Sequence, residues 1–309
     1  MHILVTGVAG FVGKHLVNHL KDEGHTISGL DKLEKIDPVI LSTLEDYNSC
    51  DLSDQAIVHF SHKIDSIVHL AGEASVSAEN SQQKNNNVTA TKVLLQFAET
   101  QQINKIIFLS SEKVDNSNSN SNSNSAYAIS KRRAEQLILK KSEASGFKST
   151  ILRSSMVFGP GMKSNLMGFL RRIKRGKHFA LPNSQSSVSM IGVHDLCRLV
   201  CGCLNNSQTD NNVYKVTDGR SYGINAIEHA VREQFRIKTP KLAYPKVLLY
   251  LSGKLGDLSN YFGIKFPMNS NAYAMLFDNQ VMHDDSIYLD TGIKPQQNFF
   301  DEIQNILTD

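Results

Sequence analysis

The chain of 309 residues has no tryptophan, only seven prolines and four cysteines, and a net charge of only +3. Each shortage excludes something. None of Cys50, Cys197, Cys201 and Cys203 falls in a C-x-x-C pair, so neither a zinc site built on paired thiolates nor a dithiol redox centre is expected. Cys197 and Cys201 are four apart in the apolar stretch DLCRLVCGCL, where they read as small buried hydrophobes in a reducing compartment. A charge this close to neutral gives no reason to expect nucleic acid or a membrane surface as a partner. No apolar run approaches the roughly 18 residues of a membrane span. MHILVTG enters a strand directly, without the basic start, longer apolar region and cleavage site of a signal peptide. The expectation is a cytoplasmic protein that needs no metal. Its length and its 40% of hydrophobic residues suffice to bury a sizeable core, as one large domain or two modest ones.

What is present is a rhythm. HILVTG (2–7), HTISGLD (25–31), IDSIVHLAG (64–72), NKIIFLSS (104–111) and KSTILRSSMVFGPG (148–161) read as strands. Between them lie helical patterns at 11–24, 87–101 and 126–146. Near-continuous apolar strands alternating with helices predict an α/β fold, a doubly wound parallel sheet covered on both faces. After Pro160 the pattern turns mostly helical, with helices expected at NLMGFLRRIKRG, 224–235 and 245–262, the last with Gly253 as a candidate break. Residues 1–155 are therefore expected to form a dinucleotide-binding domain. Residues 156–309 are expected to form a smaller, mostly helical substrate domain whose chain returns to the sheet around NVYKVTD (212–218).

Two clusters carry chemistry. TGVAGFVG (6–13) follows the first strand and opens the first helix, with Gly7, Gly10 and Gly13 spaced G-x-x-G-x-x-G. Glycines let the backbone turn tightly against a pyrophosphate, and the helix N-terminus supplies N–H donors. Asp31 ends the second strand, 24 residues beyond Gly7. Its carboxylate suits the two hydroxyls of an adenosine ribose and favours NAD over NADP, while Lys32 beside it keeps NADP open. The second cluster is Tyr127 and Lys131, at i and i+4 on one helix face. A nearby ammonium stabilises a phenolate and lowers the phenol's ordinary pKa of about 10, so Tyr127 can exchange a proton with a substrate hydroxyl. Alternating Asn and Ser run from Asn116 to Ser125. They have nothing to bury, and read as a loop over the carboxyl ends of the strands.

These motifs resemble those of the extended short-chain dehydrogenases/reductases that act on nucleotide sugars, the NAD-dependent epimerase/dehydratase group. TGVAGFVG, with Phe11 and Val12 between its glycines, matches T-G-x-x-G-F-x-G. HLAG (69–72), NNVTAT (86–91), SSEKV (110–114), YAISK (127–131), LRSSMVFGPG (152–161) and IGVHDL (191–196) stand in the group's order. The resemblance implies that Asp51 and Leu52 contact adenine. It implies that Leu70, Ala71, Gly72 and Asn87 line the cofactor site. It implies that Ser111 holds the sugar oxygen beside Tyr127, and that Lys131 also holds the nicotinamide ribose. For the sugar nucleotide it points to Asn165, to the N–H of Leu166 and to Phe179 in KHFAL. The basic RRIKRGK (171–177) reads as a solvated helix face. The Asn/Ser tract takes the place of a variable loop at the mouth of the active site.

Three positions depart from the group. Met156 stands where 4-epimerases have Asn, and Val188 where an Arg is usual; both positions commonly serve the diphosphate. Glu112-Lys113 replaces the Asp-Glu pair of the dehydratases, which disfavours 4,6-dehydration. The local sequences look most like 4-reductases of UDP-4-keto-6-deoxy-N-acetylhexosamines. The expected activity is reduction at C4 of a UDP-linked or related nucleotide sugar, with NAD as cofactor. A UDP-hexose 4-epimerase and a non-catalytic dinucleotide-binding regulator are the alternatives, and a homodimer is an open expectation.

Overall fold

The structure, a computed structural model, describes residues 1–52, 60–72, 81–115, 125–176, 180–261 and 269–308. Among these the strands are β1 (His2–Thr6), β2 (Thr26–Asp31), β3 (Asp46–Ser49), β4 (Ser66–His69), β5 (Lys105–Ser111), β6 (Lys148–Ser154), β7 (Met156–Phe158), β8 (Ser187–Val188), β9 (Met190–Gly192), β10 (Asn212–Val216) and β11 (Tyr222–Gly223). The helices are α1 (Phe11–Asp22), α2 (Pro38–Thr43), α3 (Ser81–Thr100), α4 (Ala126–Ser145), α5 (Asn165–Lys174), α6 (Val193–Leu204), α7 (Ile224–Gln234), α8 (Lys246–Tyr261), α9 (Ser270–Phe277), α10 (Ser286–Thr291) and α11 (Phe299–Leu307). The chain divides into two compact units. One comprises Met1–Ser155, Val193–Val216 and Asp284–Lys294; the other comprises Met156–Gly192, Thr217–His283 and Pro295–Asp309.

The first unit holds a seven-stranded sheet in the order β10-β6-β5-β4-β1-β2-β3. Every pairing in it is parallel, Ile3 lying beside Ile27 on one side and Ser66 on the other. The strands are buried on both faces, which is why they read as apolar runs and not as alternation. Leu94 and Ala98 of α3 with Ala134 and Ile138 of α4 pack against Leu4, Ile67, Ile106, Phe108 and Ile151. The winding reverses between β1 and β4, and at such a switch point the loops leaving neighbouring strands part and open a crevice. This is a Rossmann-like α/β fold. In the second unit β7 pairs with β9 in parallel and β8 with β11 antiparallel. Phe158, Tyr222 and Phe299 meet edge-on in its core, ring centroids 5.4 and 5.7 Å from Phe299.

Several elements differ from the sequence pattern, each for a physical reason. The run 148–161 is two strands, because the chain passes from the first unit to the second at Ser155. The third helix begins at Ser81 and not at residue 87; its first turns are polar and carry no apolar period to mark them. β3, of sequence DYNS, is an edge strand with no apolar face to betray it. α8 runs unbroken through Gly253, which is buried with a Cβ position only 3.5 Å from the Asn269 carbonyl. At that distance a side-chain methyl would make only an ordinary contact, so the glycine neither ends the helix nor is required by its neighbour.

Candidate active site

β1 delivers the chain to Gly7, whose φ of +78° is open to glycine at no strain. Its N–H donates to the Leu30 carbonyl at 2.7 Å, and its own carbonyl accepts from Gly10 N–H at 3.0 Å. A Cβ on Gly7 would lie 2.9 Å from the Ala71 nitrogen; one on Gly13 would lie 2.1 Å from the Gly7 carbonyl oxygen. Side chains at these places would close the turn. Gly10 caps α1 with no side chain, so the first-turn N–H groups of Phe11, Val12 and Gly13 face outward from a helix end whose dipole favours an anion. Asp31, at the end of β2, is fixed by two backbone donors: Ala9 N–H to Oδ2 at 3.0 Å and Leu33 N–H to Oδ1 at 3.3 Å.

These groups border a cavity of about 500 Å³ at the carboxyl ends of β1, β2 and β4. Of the residues singled out in the sequence, Gly7, Gly10, Asp31, Lys32, Asp51, Leu52, Leu70, Ala71, Gly72 and Asn87 line it. Phe11, Val12 and Gly13 lie outside its lining, at the start of α1. The lining also includes Ala9, Leu33, Cys50 and Asn86. Their apolar or amide side chains carry no pattern of their own, and only their neighbours in sequence could have pointed to them.

β5 and α4 bring the second cluster together. Ser125 caps α4, accepting from Ala128 N–H at 3.2 Å; such a cap is worth about 1 kcal/mol. The helix therefore starts at the last residue of the Asn/Ser tract, whose residues 116–124 lie outside the described residues. Tyr127 stands in its first turn, near enough to Ser111 for the serine hydroxyl to favour its ionisation. Burial raises the phenol's pKa, the Ser111 hydroxyl partly opposes this, and the neighbouring Glu112 charge raises it further. Lys131, one turn on, is buried. Its Nζ donates to the Leu109 carbonyl at 2.9 Å and stands 4.6 Å over the Phe108 ring. Burial brings its pKa down to about 8, with Glu135 partly opposing. A Cβ built on Gly72 would come within 3.1 Å of that ammonium and 3.4 Å of Asn87 Oδ1. Lys131 thus borders the cavity and stands one helical turn from Tyr127.

Apart from Asn87, the layer that supports these groups was not singled out from the sequence. Glu135 accepts from Ser110 Oγ at 2.5 Å and from Arg153 Nη2 at 2.6 Å, tying α4 to the ends of β5 and β6. Asn87 donates to Ser130 Oγ at 3.0 Å, and Ser130 donates to the Tyr127 carbonyl at 2.8 Å. His69, buried, is bonded to Thr6 at 2.8 Å and Thr91 at 3.3 Å; burial first and the Lys131 charge second hold its pKa near 3. It is a neutral strut. Only Glu135, four residues after Lys131 on the same helix face, had a spacing that could have announced it. Asn165 and Leu166 begin α5 in the second unit, the first exposed and the second buried. Phe179 lies outside the described residues. Among the described residues, no group of three or more His, Cys, Asp or Glu could hold a metal ion.

The sequence model of the NAD dependent epimerase/dehydratase family matches residues 3–217. The chain belongs to that family. It is accordingly an NAD-dependent enzyme of the epimerase/dehydratase kind. Its curated relatives include the UDP-glucose 4-epimerase of Vibrio cholerae, 25% identical over 235 residues, which cover 70% of each chain. Another is the N-acetyl-α-D-glucosaminyl-diphospho-ditrans,octacis-undecaprenol 4-epimerase of Escherichia coli O157:H7, 27% identical over 280 residues, 87% of this chain and 83% of that one. Among solved structures, the UDP-glucose 4-epimerase of Thermotoga maritima with UDP-glucose superposes with a TM-score of 0.76 at 20% identity, over 100% of this chain and 98% of that one. That last likeness is one of fold. The residues present fit the family's cofactor: a cradle that a Cβ would fill and a carboxylate held by backbone donors line one cavity, and the uncapped α1 begins just beyond Gly10 of that lining.

Proposed function

We propose that this enzyme works at C4 of a nucleotide-linked sugar, most simply UDP-linked, and that it reduces a 4-keto group to a hydroxyl. The observation that supports the assignment is Tyr127 beside Ser111, with Lys131 one helical turn away at the edge of the cavity. NAD, when bound, supplies or accepts a hydride at the sugar carbon. The cradle Gly7–Gly10–Gly13 with the N–H groups of Phe11 and Val12 would hold its pyrophosphate. Asp31 would hold the adenosine ribose, with Lys32 beside it, and Asp51 and Leu52 the adenine. Leu70, Ala71, Gly72 and Asn87 would line the rest. Ser111 donates to the C4 oxygen and fixes its position. Tyr127 delivers the proton to that oxygen, and the Lys131 ammonium stabilises the phenolate left behind. Asn165, the Leu166 N–H and Phe179 would bind the sugar nucleotide. Asp31 favours NAD(H), since a carboxylate repels a 2′-phosphate; equal binding of NADPH in a titration would contradict this.

The reaction type rests on what the second unit lacks. An epimerase must keep the diphosphate anchored while the 4-keto sugar turns over. Val188 is buried in the core of that unit and Met156 is apolar and half-buried, so neither can bind a phosphate. A reductase needs the sugar held in one orientation only. The second reading, 4-epimerase, is favoured by the names of the relatives, which are largely 4-epimerases. Incubation with a catalytic amount of NAD and UDP-galactose or UDP-N-acetylgalactosamine, without reductant, separates the two. The expected result is no conversion, with stoichiometric loss of NADH on a UDP-4-keto sugar. Rapid formation of the gluco isomer would decide for the epimerase.

A further inference from the structure

α8 is turned the wrong way for a helix of a water-soluble unit. Leu249, Gly253 and Gly256 face inward, while Val247, Leu248, Leu251, Leu255 and Leu258 are 50% to 68% exposed. Their spacing keeps them on one side of the helix, and Tyr250 on α8 and Leu242 just before it are exposed as well. Single exposed leucines are ordinary; a stripe of this length is not. The charges along this stretch are mostly basic. From Arg236 to Leu258 there are five basic residues, Arg236, Lys238, Lys241, Lys246 and Lys254, all exposed, against one acid, Asp257. Asp257 is engaged with the N–H and hydroxyl of Ser270. Lys254 borders the stripe with its ammonium 5.7 Å over the Tyr250 ring, its stem lying on apolar surface. The near-neutral charge of the whole chain conceals this local excess.

We infer that α8 is an interfacial helix that seats this enzyme on an anionic lipid bilayer. Apolar residues along one side bordered by lysines is the arrangement that lies in the plane of a bilayer, leucines among the acyl chains and ammoniums at the phosphates. No helix among the described residues is long and apolar enough to cross a membrane, so the helix lies on the bilayer and does not span it. A second copy of the chain is the weaker occupant, because a two-fold contact would set the same basic flank against itself. The inference is independent of which sugar is turned over.

The test is cosedimentation of the full chain with vesicles of phosphatidylcholine containing about 30 mol % phosphatidylglycerol. Binding should be about tenfold weaker on phosphatidylcholine alone and should fall as salt rises. The triple variant Leu248→Glu, Leu251→Glu, Leu255→Glu should lose at least about tenfold of the binding, with its melting temperature unchanged. The corresponding triple serine variant should weaken binding to a smaller degree, and serves if the glutamates disturb folding. Three results would each overturn the inference. One is no preference for anionic vesicles. Another is binding that survives both triple variants. The third is a wild-type dimer, seen by light scattering, that the glutamates split while neither protein binds lipid.

Discussion

The two ends of β5 hold a buried lysine apiece, and they treat it differently. At the amino end, Lys105 meets Asp210 at 2.7 Å and the Asn206 carbonyl at 3.3 Å, and Lys148 closes the other side of the same carboxylate at 3.1 Å. Burial would raise the Asp210 pKa, but the two ammoniums together bring it below the ordinary value. At the carboxyl end, Lys131 is bonded to a backbone carbonyl and faces an aromatic ring, and burial is free to bring its pKa down to about 8. One lysine is satisfied as a charge and holds the sheet edge together. The other is kept partly uncompensated, beside a tyrosine whose ionisation needs a cation. In a parallel sheet the carboxyl ends are where ligands bind, and a charge held ready and not cancelled there is what the proposed chemistry requires.

The contrast can be broken from either end. Replacing Lys131 by Met should have the largest effect, a fall in turnover of about a thousandfold, with stability kept or raised because a costly buried charge is gone. Its pH signature has a definite sign. Between about 8 and the ordinary 10.5 the unfolded lysine holds a proton that the folded one has lost. Wild-type stability should therefore rise across that window relative to Lys131→Met, as melting temperatures against pH would show. Next comes Gly13→Ala. Its Cβ would fall 2.1 Å from the Gly7 carbonyl, so the cradle must shift, at a cost of about 1–3 kcal/mol. Dinucleotide affinity, read by fluorescence titration, should drop by about tenfold or more. Lys105→Met should do the reverse of Lys131→Met. It should cost about 2–3 kcal/mol in denaturant melts, toward the low side for a broken buried pair because Lys148 remains, and leave turnover per folded molecule unchanged.

The smallest expected effect concerns Glu112, next to Ser111. Burial raises its carboxyl to about 7, with Lys113 partly opposing. A carboxyl raised in the folded state contributes stability that is full below the ordinary value of 4.5 and gone above about 7. Glu112→Gln should flatten the fall in melting temperature across that window. A slope that persists would mean another group titrates there.

How much of this could be read from the sequence follows from how local each feature is. The glycine cradle, Asp31 and the Tyr127–Lys131 pair are set by spacings of a few residues after a strand or on one helix face, and spacing survives in a sequence. The parallel sheet was legible because its strands are buried on both faces. β3 was not, since an edge strand of sequence DYNS has no apolar signal. The Glu135–Arg153–Ser110 tie and the Thr6–His69–Thr91 strut join residues from different elements, and such partners are chosen by the fold. The outward face of α8 was missed for another reason: its leucines have normal amphipathic spacing, and only the fold tells which side is buried.

The central claim is that the carboxyl end of β5 presents an acid–base tyrosine beside a dinucleotide cavity. Tyr127→Phe tests it most directly, because it removes the one hydroxyl and keeps the ring. With NAD affinity and turnover on a UDP-4-keto sugar measured on the same preparation, the account predicts affinity within a few fold of wild type and turnover lower by about two orders of magnitude or more. Turnover at the wild-type level in the phenylalanine variant would contradict it.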